Sequence, residues 1–225
     1  MRLLIVSDIH GDASALESLL ERRPPAQAIL VAGDLTDFGG SQAMADIIEV
    51  LKVPGLPVVA VPGNCDRPGA RRALEEAGLS IDGKKLELIL DGIACSLFGS
   101  GGGNFRTGLT PYERKESDFD ELFASFPKAS PSIVITHAPP YGTDADLRMG
   151  THTGSKSLRG ALDELCPPLW ICGHIHEARS VSRCGGSLLV NPGSLREGFY
   201  ALAELDGPNA SGRFCARAEL MSLME

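Results

Sequence analysis

Leu3-Leu4-Ile5-Val6-Ser7-Asp8-Ile9-His10-Gly11 decides how the rest of the chain is read. Four consecutive apolar residues with β-branched members describe a strand buried on both faces. The run stops at Asp8, and Gly11 follows as a turn signal. Asp8 and His10 are two residues apart, so on a strand or its extended exit both side chains point the same way. A carboxylate oxygen and an imidazole nitrogen aimed at one point suit a divalent metal. An Asp at a strand end can equally cap a helix, so the decision passes to the ends of later strands.

Those ends repeat the pattern. An apolar run over 28–32 leads into Gly33-Asp34, and one over 57–61 into Pro62-Gly63-Asn64-Cys65-Asp66. The run 132–136 ends in His137-Ala138-Pro139-Pro140, and 169–172 in Gly173-His174-Ile175-His176. Helical periodicity fills the gaps: 13–23, stopped by Pro24-Pro25; 41–51 behind Ser41; 68–77; 110–126 behind Thr110-Pro111; and from Ser155 or Ser157 to 165. Strands alternating with helices at short spacing predict a parallel sheet with right-handed crossovers. Two short strands, 86–90 and 93–98, face each other across Asp91-Gly92. Residues 99–104 form a glycine-rich loop that lacks the Lys-Ser/Thr of a P-loop. Residues 141–154 are polar and read as a lid or insertion. A run over 187–190 leads into Asn191-Pro192-Gly193-Ser194, where Asn191 reads as a turn cap. Strands over 199–205 and 213–220 then close the chain as an antiparallel pair around Gly207-Pro208-Asn209. With no repeat and no dividing linker, 1–225 reads as a single domain.

Composition narrows the classes. The 225 residues are 43% hydrophobic, with 26 Gly and 15 Pro, a turn-rich but folded chain. A net charge of −8 repels polyanions on average, and no basic run or RNA-binding signature is found, so extended nucleic-acid binding is not expected. The six cysteines form no CxxC pair, and a chain this long needs no staples, which points to a reducing cytoplasm. The N-terminus reads as a core strand rather than a signal peptide. No apolar run approaches the roughly 18 residues needed to span a bilayer. Asn209-Ala210-Ser211 matches a glycosylation sequon, which carries no meaning in that compartment.

Five strands thus end in Asp8 with His10, Asp34, Asn64, His137, and His174 with His176. In open α/β sheets, ligands gather outside the carboxyl ends of strands. Two carboxylates, one amide and four imidazoles suit a pair of divalent cations, with one carboxylate shared between them. Their surplus positive charge would attract a phosphate and hold a hydroxide.

Asp8-x-His10, Gly33-Asp34, Gly63-Asn64-x-Asp66, His137 and Gly173-His174-x-His176 together resemble the five motif blocks of the calcineurin-like metallophosphoesterase superfamily. The chain is similar in particular to its small, single-domain Icc-like members, through His137-Ala138-Pro139-Pro140-Tyr141-Gly142, His152-x-Gly154-Ser155 and Asn191-Pro192-Gly193-Ser194. The resemblance implies an α/β fold built as a four-layer α/β/β/α sandwich. It implies one metal on Asp8, His10, Asp34 and His176, and another on Asp34, Asn64, His137 and His174, with Asp34 bridging. Mixed nitrogen and oxygen ligation favours two divalent transition metals, Mn first, then Fe or Zn. Attack by the metals' hydroxide implies no covalent phospho-enzyme.

One position departs from the commonest pattern, in which His follows the Asn and helps protonate the leaving group. Here Cys65 stands there, a weaker donor that also fits a mere packing role. The candidate catalytic set is Asp34, Asn64, Cys65, Asp66 and His152. Asp66 also reads as a cap, and His152 as a loop histidine. The expected activity is a binuclear phosphodiesterase acting on a small phosphorylated or nucleotide-like substrate, without a membrane and with homo-oligomerisation left open. The alternatives are a phosphomonoesterase acting on proteins or small molecules, and a non-catalytic interaction scaffold of the same fold.

Overall fold

A computed structural model describes residues 1–22, 25–104, 108–125, 132–208 and 214–224. The readings that fell on Arg23, Pro24, Phe126, Arg213, the sequon and the Asn209 side of the last turn lie outside these residues. The elements follow one another as β1 (Arg2–Val6), α1 (Ala13–Arg22), β2 (Ala28–Ala32), α2 (Ser41–Lys52), β3 (Val58–Val61), α3 (Pro68–Glu76), β4 (Lys85–Leu90), β5 (Ile93–Ser100), α4 (Glu116–Ala124), β6 (Ile133–Thr136), β7 (Leu147–Arg148), β8 (Thr151–His152), α5 (Lys156–Leu165), β9 (Leu169–Ile171), β10 (Ser180–Cys184), β11 (Ser187–Asn191), β12 (Phe199–Asp206) and β13 (Cys215–Ser222).

The strands form two sheets, ordered β13-β12-β1-β2-β3 and β10-β11-β9-β6-β5-β4, with β7 and β8 pairing separately as a hairpin. In the first sheet β1, β2 and β3 are parallel, with β12 and β13 antiparallel on one side; in the second, parallel β11, β9, β6 and β5 lie between the antiparallel rim strands β10 and β4. The alternation of β1 explains its unbroken apolar run. Leu3 and Ile5 face the other sheet, where they meet the layer containing Leu97, Ile135 and Ile171. Leu4 and Val6 face outward, where Leu16 of α1, Met44 of α2 and Leu74 of α3 cover them. On the far side, Val134, Trp170 and Leu189 of the second sheet pack under Phe119 of α4 and Leu158 of α5. The result is the expected α/β/β/α sandwich, with every parallel strand buried on both faces.

Three local readings change. The helix expected from 110 starts at Glu116. Residues 112–114 are instead spent bracing a neighbouring loop: Tyr112 N–H donates to the Asn64 carbonyl at 3.1 Å, and Arg114 N–H to the Gly103 carbonyl at 2.8 Å. Strand β10 had no separate reading, because Ser-Val-Ser-Arg-Cys carries too little apolar weight to stand out beside β11. The segment 141–154 holds a 3₁₀ turn, Asp144–Asp146, and the β7–β8 hairpin.

Candidate metal centre

The exits of β1, β2, β3, β6 and β9 meet at the carboxyl ends of the two sheets. The first two continue to pair past their strands: Asp8 N–H donates to the Gly33 carbonyl at 3.0 Å and His10 N–H to the Asp34 carbonyl at 2.9 Å. His137 ties the sheets together, because its ring Nδ1 lies 2.8 Å from the Ala32 carbonyl. Asp8, His10, Asp34 and His174 all have left-handed backbones, with φ of 52°, 48°, 49° and 71°. Such conformations cost non-glycine residues about 1–3 kcal/mol each and persist where the surroundings over-determine them. Two glycines allow the crowding. A Cβ on Gly63 would collide with the Asp34 carboxylate and backbone, and one on Gly173 with the hydroxyl of Ser7 and, at 2.6 Å, with Asp8 Oδ2.

Six of the seven expected ligands form a continuous chain of approaches. Asp8 Oδ1 is 3.1 Å from His176 Nε2 and 3.8 Å from His10 Nε2. Asp34 Oδ2 stands between His10 Nε2 at 3.8 Å and His137 Nε2 at 3.5 Å. Asn64 Oδ1 lies 2.8 Å from His137 Nε2. The seventh, His174, sets its ring centroid 5.0 Å from that of His137, and its backbone N–H donates to Asp8 Oδ2 at 3.1 Å.

The chemistry of these atoms fits cations. A carbonyl can only accept, so His137 Nδ1 carries the hydrogen toward Ala32. In the neutral ring, Nε2 then turns a lone pair toward the acceptors Asn64 Oδ1 and Asp34 Oδ2. Asp8 Oδ1 and His10 Nδ1 are buried and accept no well-directed hydrogen bond. Acceptors crowded together are costly unless a positive charge, the proton of an imidazolium or a metal cation, lies among them. Among the described residues three triads, Asp8 with His10 and His176, Asp8 with Asp34 and His137, and His10 with Asp34 and Cys65, each bring their ligand atoms within 4.8 Å of one another.

Electrostatics point the same way. Burial opposes ionisation of Asp8 and Asp34, but the histidines around them outweigh it and hold both below the usual carboxylate range. Burial also opposes charge on His137, yet the Asp34 carboxylate carries its pKa to about 9. At His174, burial and the neighbouring His137 push the pKa to about 4, leaving the imidazole neutral, the form that ligates a metal.

The other candidates occupy different places. Asp66 is fully buried and accepts from Leu35 N–H at 3.2 Å, Thr36 N–H at 2.8 Å, the Thr36 hydroxyl at 2.8 Å and Gly63 N–H at 2.8 Å. It clamps the β2 exit to the β3 exit. Burial and the nearby Asp34 raise its pKa to about 6. Cys65 is 6% exposed, and its backbone N–H donates to Asp34 Oδ1 at 2.7 Å. Burial and Asp34 drive its thiol pKa far upward, so the sulfur stays protonated. His152 lies on the β7–β8 hairpin, its Nδ1 2.7 Å from the buried Asp146.

Sequence reasoning passed over three contributors. Ser7 donates its hydroxyl to Asp8 Oδ2 at 2.6 Å, Ser194 donates its own to the Asp8 carbonyl at 2.8 Å, and Glu197 sets a carboxylate 3.6 Å from His176 Nδ1. Ser7, adjacent to Asp8, and Ser194, at the end of the Asn191-Pro192-Gly193-Ser194 motif, carried a local signal, and Glu197 carried none.

The calcineurin-like phosphoesterase family model matches residues 1–178. The uncharacterized protein MJ1162 of Methanocaldococcus jannaschii is 32% identical over 201 residues, 85% of this chain and 88% of that one. Phosphodiesterase YfcE of Escherichia coli K12 is 36% identical over 74 residues, 29% of this chain and 40% of that one. Among solved structures, TT1561 of Thermus thermophilus superposes with a TM-score of 0.76 at 22% identity over 99% of this chain and 98% of that one, a likeness of fold. The chain belongs to the calcineurin-like phosphoesterase family. It is a metal-dependent hydrolase of phosphoester bonds. Among the described residues, no helix is long and apolar enough to cross a membrane.

Proposed function

We propose that this chain is a binuclear metal-dependent phosphodiesterase acting on small phosphodiester or nucleotide-like substrates. The carrying observation is Asp34 Oδ2, which lies within 4 Å of both His10 Nε2 and His137 Nε2 and so faces two groups of ligands at once. In this reading Asp8, His10, Asp34 and His176 hold one cation, and Asp34, Asn64, His137 and His174 hold the other. Two divalent cations so placed supply an acidic site for water and neutralise charge on the phosphoryl group.

The protein's own groups supply position and electrostatics. Asp34 and Asp8, ionised in the cluster, set the net charge of the site. Ala32 fixes the tautomer of His137 through its carbonyl, and Ser7 orients Asp8. Asp66, with both oxygens occupied, holds the β2 and β3 exits in register and so places Asp34 against Asn64. The protonated Cys65 is a poor nucleophile, which agrees with direct attack by water and no covalent phospho-enzyme. His152 we assign to holding the hairpin through Asp146. Nitrogen and oxygen donors together favour Mn, Fe or Zn. The partial likeness to a protein named a phosphodiesterase supports diesters over monoesters. Apolar layers drawn from both ends of the chain support one domain over 1–225.

The test is hydrolysis with added Mn²⁺ of bis-p-nitrophenyl phosphate and of p-nitrophenyl phosphate. The diester should turn over faster. Faster monoester turnover would overturn the diesterase assignment, and turnover of neither by metal-loaded protein would favour a scaffold.

A further inference from the structure

A pocket of about 250 Å³ opens beside the ligand cluster. Asn64 and His174 line it on the metal side, Leu109, Thr110 and Glu113 form one wall, and Arg148 comes from the β7–β8 hairpin. The volume leaves room beyond a phosphoryl group for a substituent of the ester. The two charged side chains differ in how they are committed. Glu113 is bound inward, accepting from Gly108 N–H at 2.9 Å, Thr110 N–H at 3.2 Å and the Thr110 hydroxyl at 2.9 Å. Arg148 has its Nε 3.7 Å from Glu177 Oε1, beyond hydrogen-bond distance, and its side chain is 57% exposed.

The arm that carries Arg148 is rigidly built. Asp146, at its base, is fully buried and accepts from Gly142 N–H at 3.0 Å, Thr143 N–H at 2.9 Å and Gly154 N–H at 2.9 Å, besides facing His152 Nδ1. Thr153 N–H donates back to the Asp146 carbonyl at 3.0 Å, and Leu147 pairs with His152 across the hairpin. Such a framework holds the turn, and with it the backbone of Arg148, without help from a ligand.

We infer that Arg148 forms an anion-reading subsite, selecting substrates whose ester substituent carries a second negative group, a phosphate in particular, with an apolar face toward Leu109. This deepens the phosphodiesterase reading and rests on its placement of the reacting phosphoryl group at the ligand cluster. A guanidinium binds phosphate through paired, charge-assisted hydrogen bonds, whereas one phosphate held by the cations alone would not need it.

The probe pair is adenosine 3′,5′-bisphosphate and adenosine 5′-monophosphate, titrated calorimetrically into Mn²⁺-loaded protein. The wild type should bind the bisphosphate about tenfold tighter. Arg148→Ala should reduce that preference to less than about threefold, Arg148→Glu should reverse it, and Arg148→Lys should restore part of it, since a point charge replaces the planar fork. The inference is overturned if the wild type shows no preference, if neither nucleotide binds, if Arg148→Ala keeps the preference, or if that variant loses both ligands equally. The last result would assign Arg148 to the reacting phosphate. Binding is read without turnover, so an absence of diester hydrolysis counts against the earlier reading and not against this one.

Discussion

At the scale of single residues, the site depends on groups that serve two neighbours at once. Asp34 faces both ligand groups through Oδ2 and accepts the Cys65 N–H through Oδ1. Asp34→Asn removes one charge from a shared ligand, so it should strip metal from both positions and lower turnover by at least about a thousandfold, as read by metal content and bis-p-nitrophenyl phosphate hydrolysis. Retention of two equivalents of metal at wild-type rate would refute a shared ligand. Cys65 offers a contrast, because Asp34 uses its backbone N–H, its sulfur accepts only a long bond from Asn64 Nδ2 at 3.4 Å, and burial keeps its thiol protonated. Cys65→Ala keeps the N–H and should cost less than about tenfold in kcat. Gly63 is constrained by space, since an added methyl would meet the Asp34 carboxylate. Gly63→Ala should therefore destabilise the fold by about 1–3 kcal/mol and weaken metal uptake, measurable by thermal melting and by Mn²⁺ titration. The seven candidate ligands stand out in the sequence because each lies at the exit of an apolar run. The left-handed backbones of Asp8, His10, Asp34 and His174 do not, since nothing in those residue types requires a positive φ. Glu197 and Arg148 lie just outside the motifs that end at Ser194 and begin at His152, and only folding brings them to the site.

At the scale of elements, strands buried on both faces were the easiest to read, and elements set by side-chain bonding the hardest. β1, β2, β3, β6 and β9 combine dense β-branched runs with glycine or polar stops, and their observed ends agree with the reading to about one residue. Helix α4 shows the reverse: apolar spacing extended it back to 110, but hydrogen bonds to Asn64 and Gly103 hold 112–114 in the wall of the site. A long-range backbone pairing of that kind leaves no local periodicity to detect. The sequence leaves Ser155 and Ser157 open as the start of helix α5, and the structure shows Ser155 as the cap, accepting from Leu158 N–H at 3.1 Å. Its hydroxyl also donates to Glu116 Oε2 at 2.7 Å, at the first residue of α4. Ser155→Ala thus loses a cap and a link between the two helices of one layer, and should cost about 1–2 kcal/mol. Ser155→Thr should recover part of the loss in a denaturant titration, and an unchanged midpoint for the alanine variant would remove the cap from the account.

At the scale of the whole molecule, the centre is where the two sheets are joined by polar contacts rather than apolar ones. His137 reaches from the second sheet to the Ala32 carbonyl in the first, and Asp8 receives the His174 N–H in return. Cations bound here would hold the sheets together, and folding stability should depend on them by mass action. Without metal the same place is held by charge: burial resists it, but Asp34 raises the His137 pKa to about 9 from 6.5. A histidine raised above its unfolded value contributes stability that is full below about pH 6.5 and lost as pH rises through about 9. The metal-free protein should therefore melt at progressively lower temperature between those two pH values. Metal must displace that proton, so Mn²⁺ affinity should rise over the same interval and the Mn²⁺-loaded protein should lose less stability across it. Scanning calorimetry of chelator-treated and Mn²⁺-loaded protein at pH 6, 7.5 and 9 separates the two curves. They should diverge as pH increases, and parallel curves would mean that His137 neither holds the proton nor yields its place to a cation.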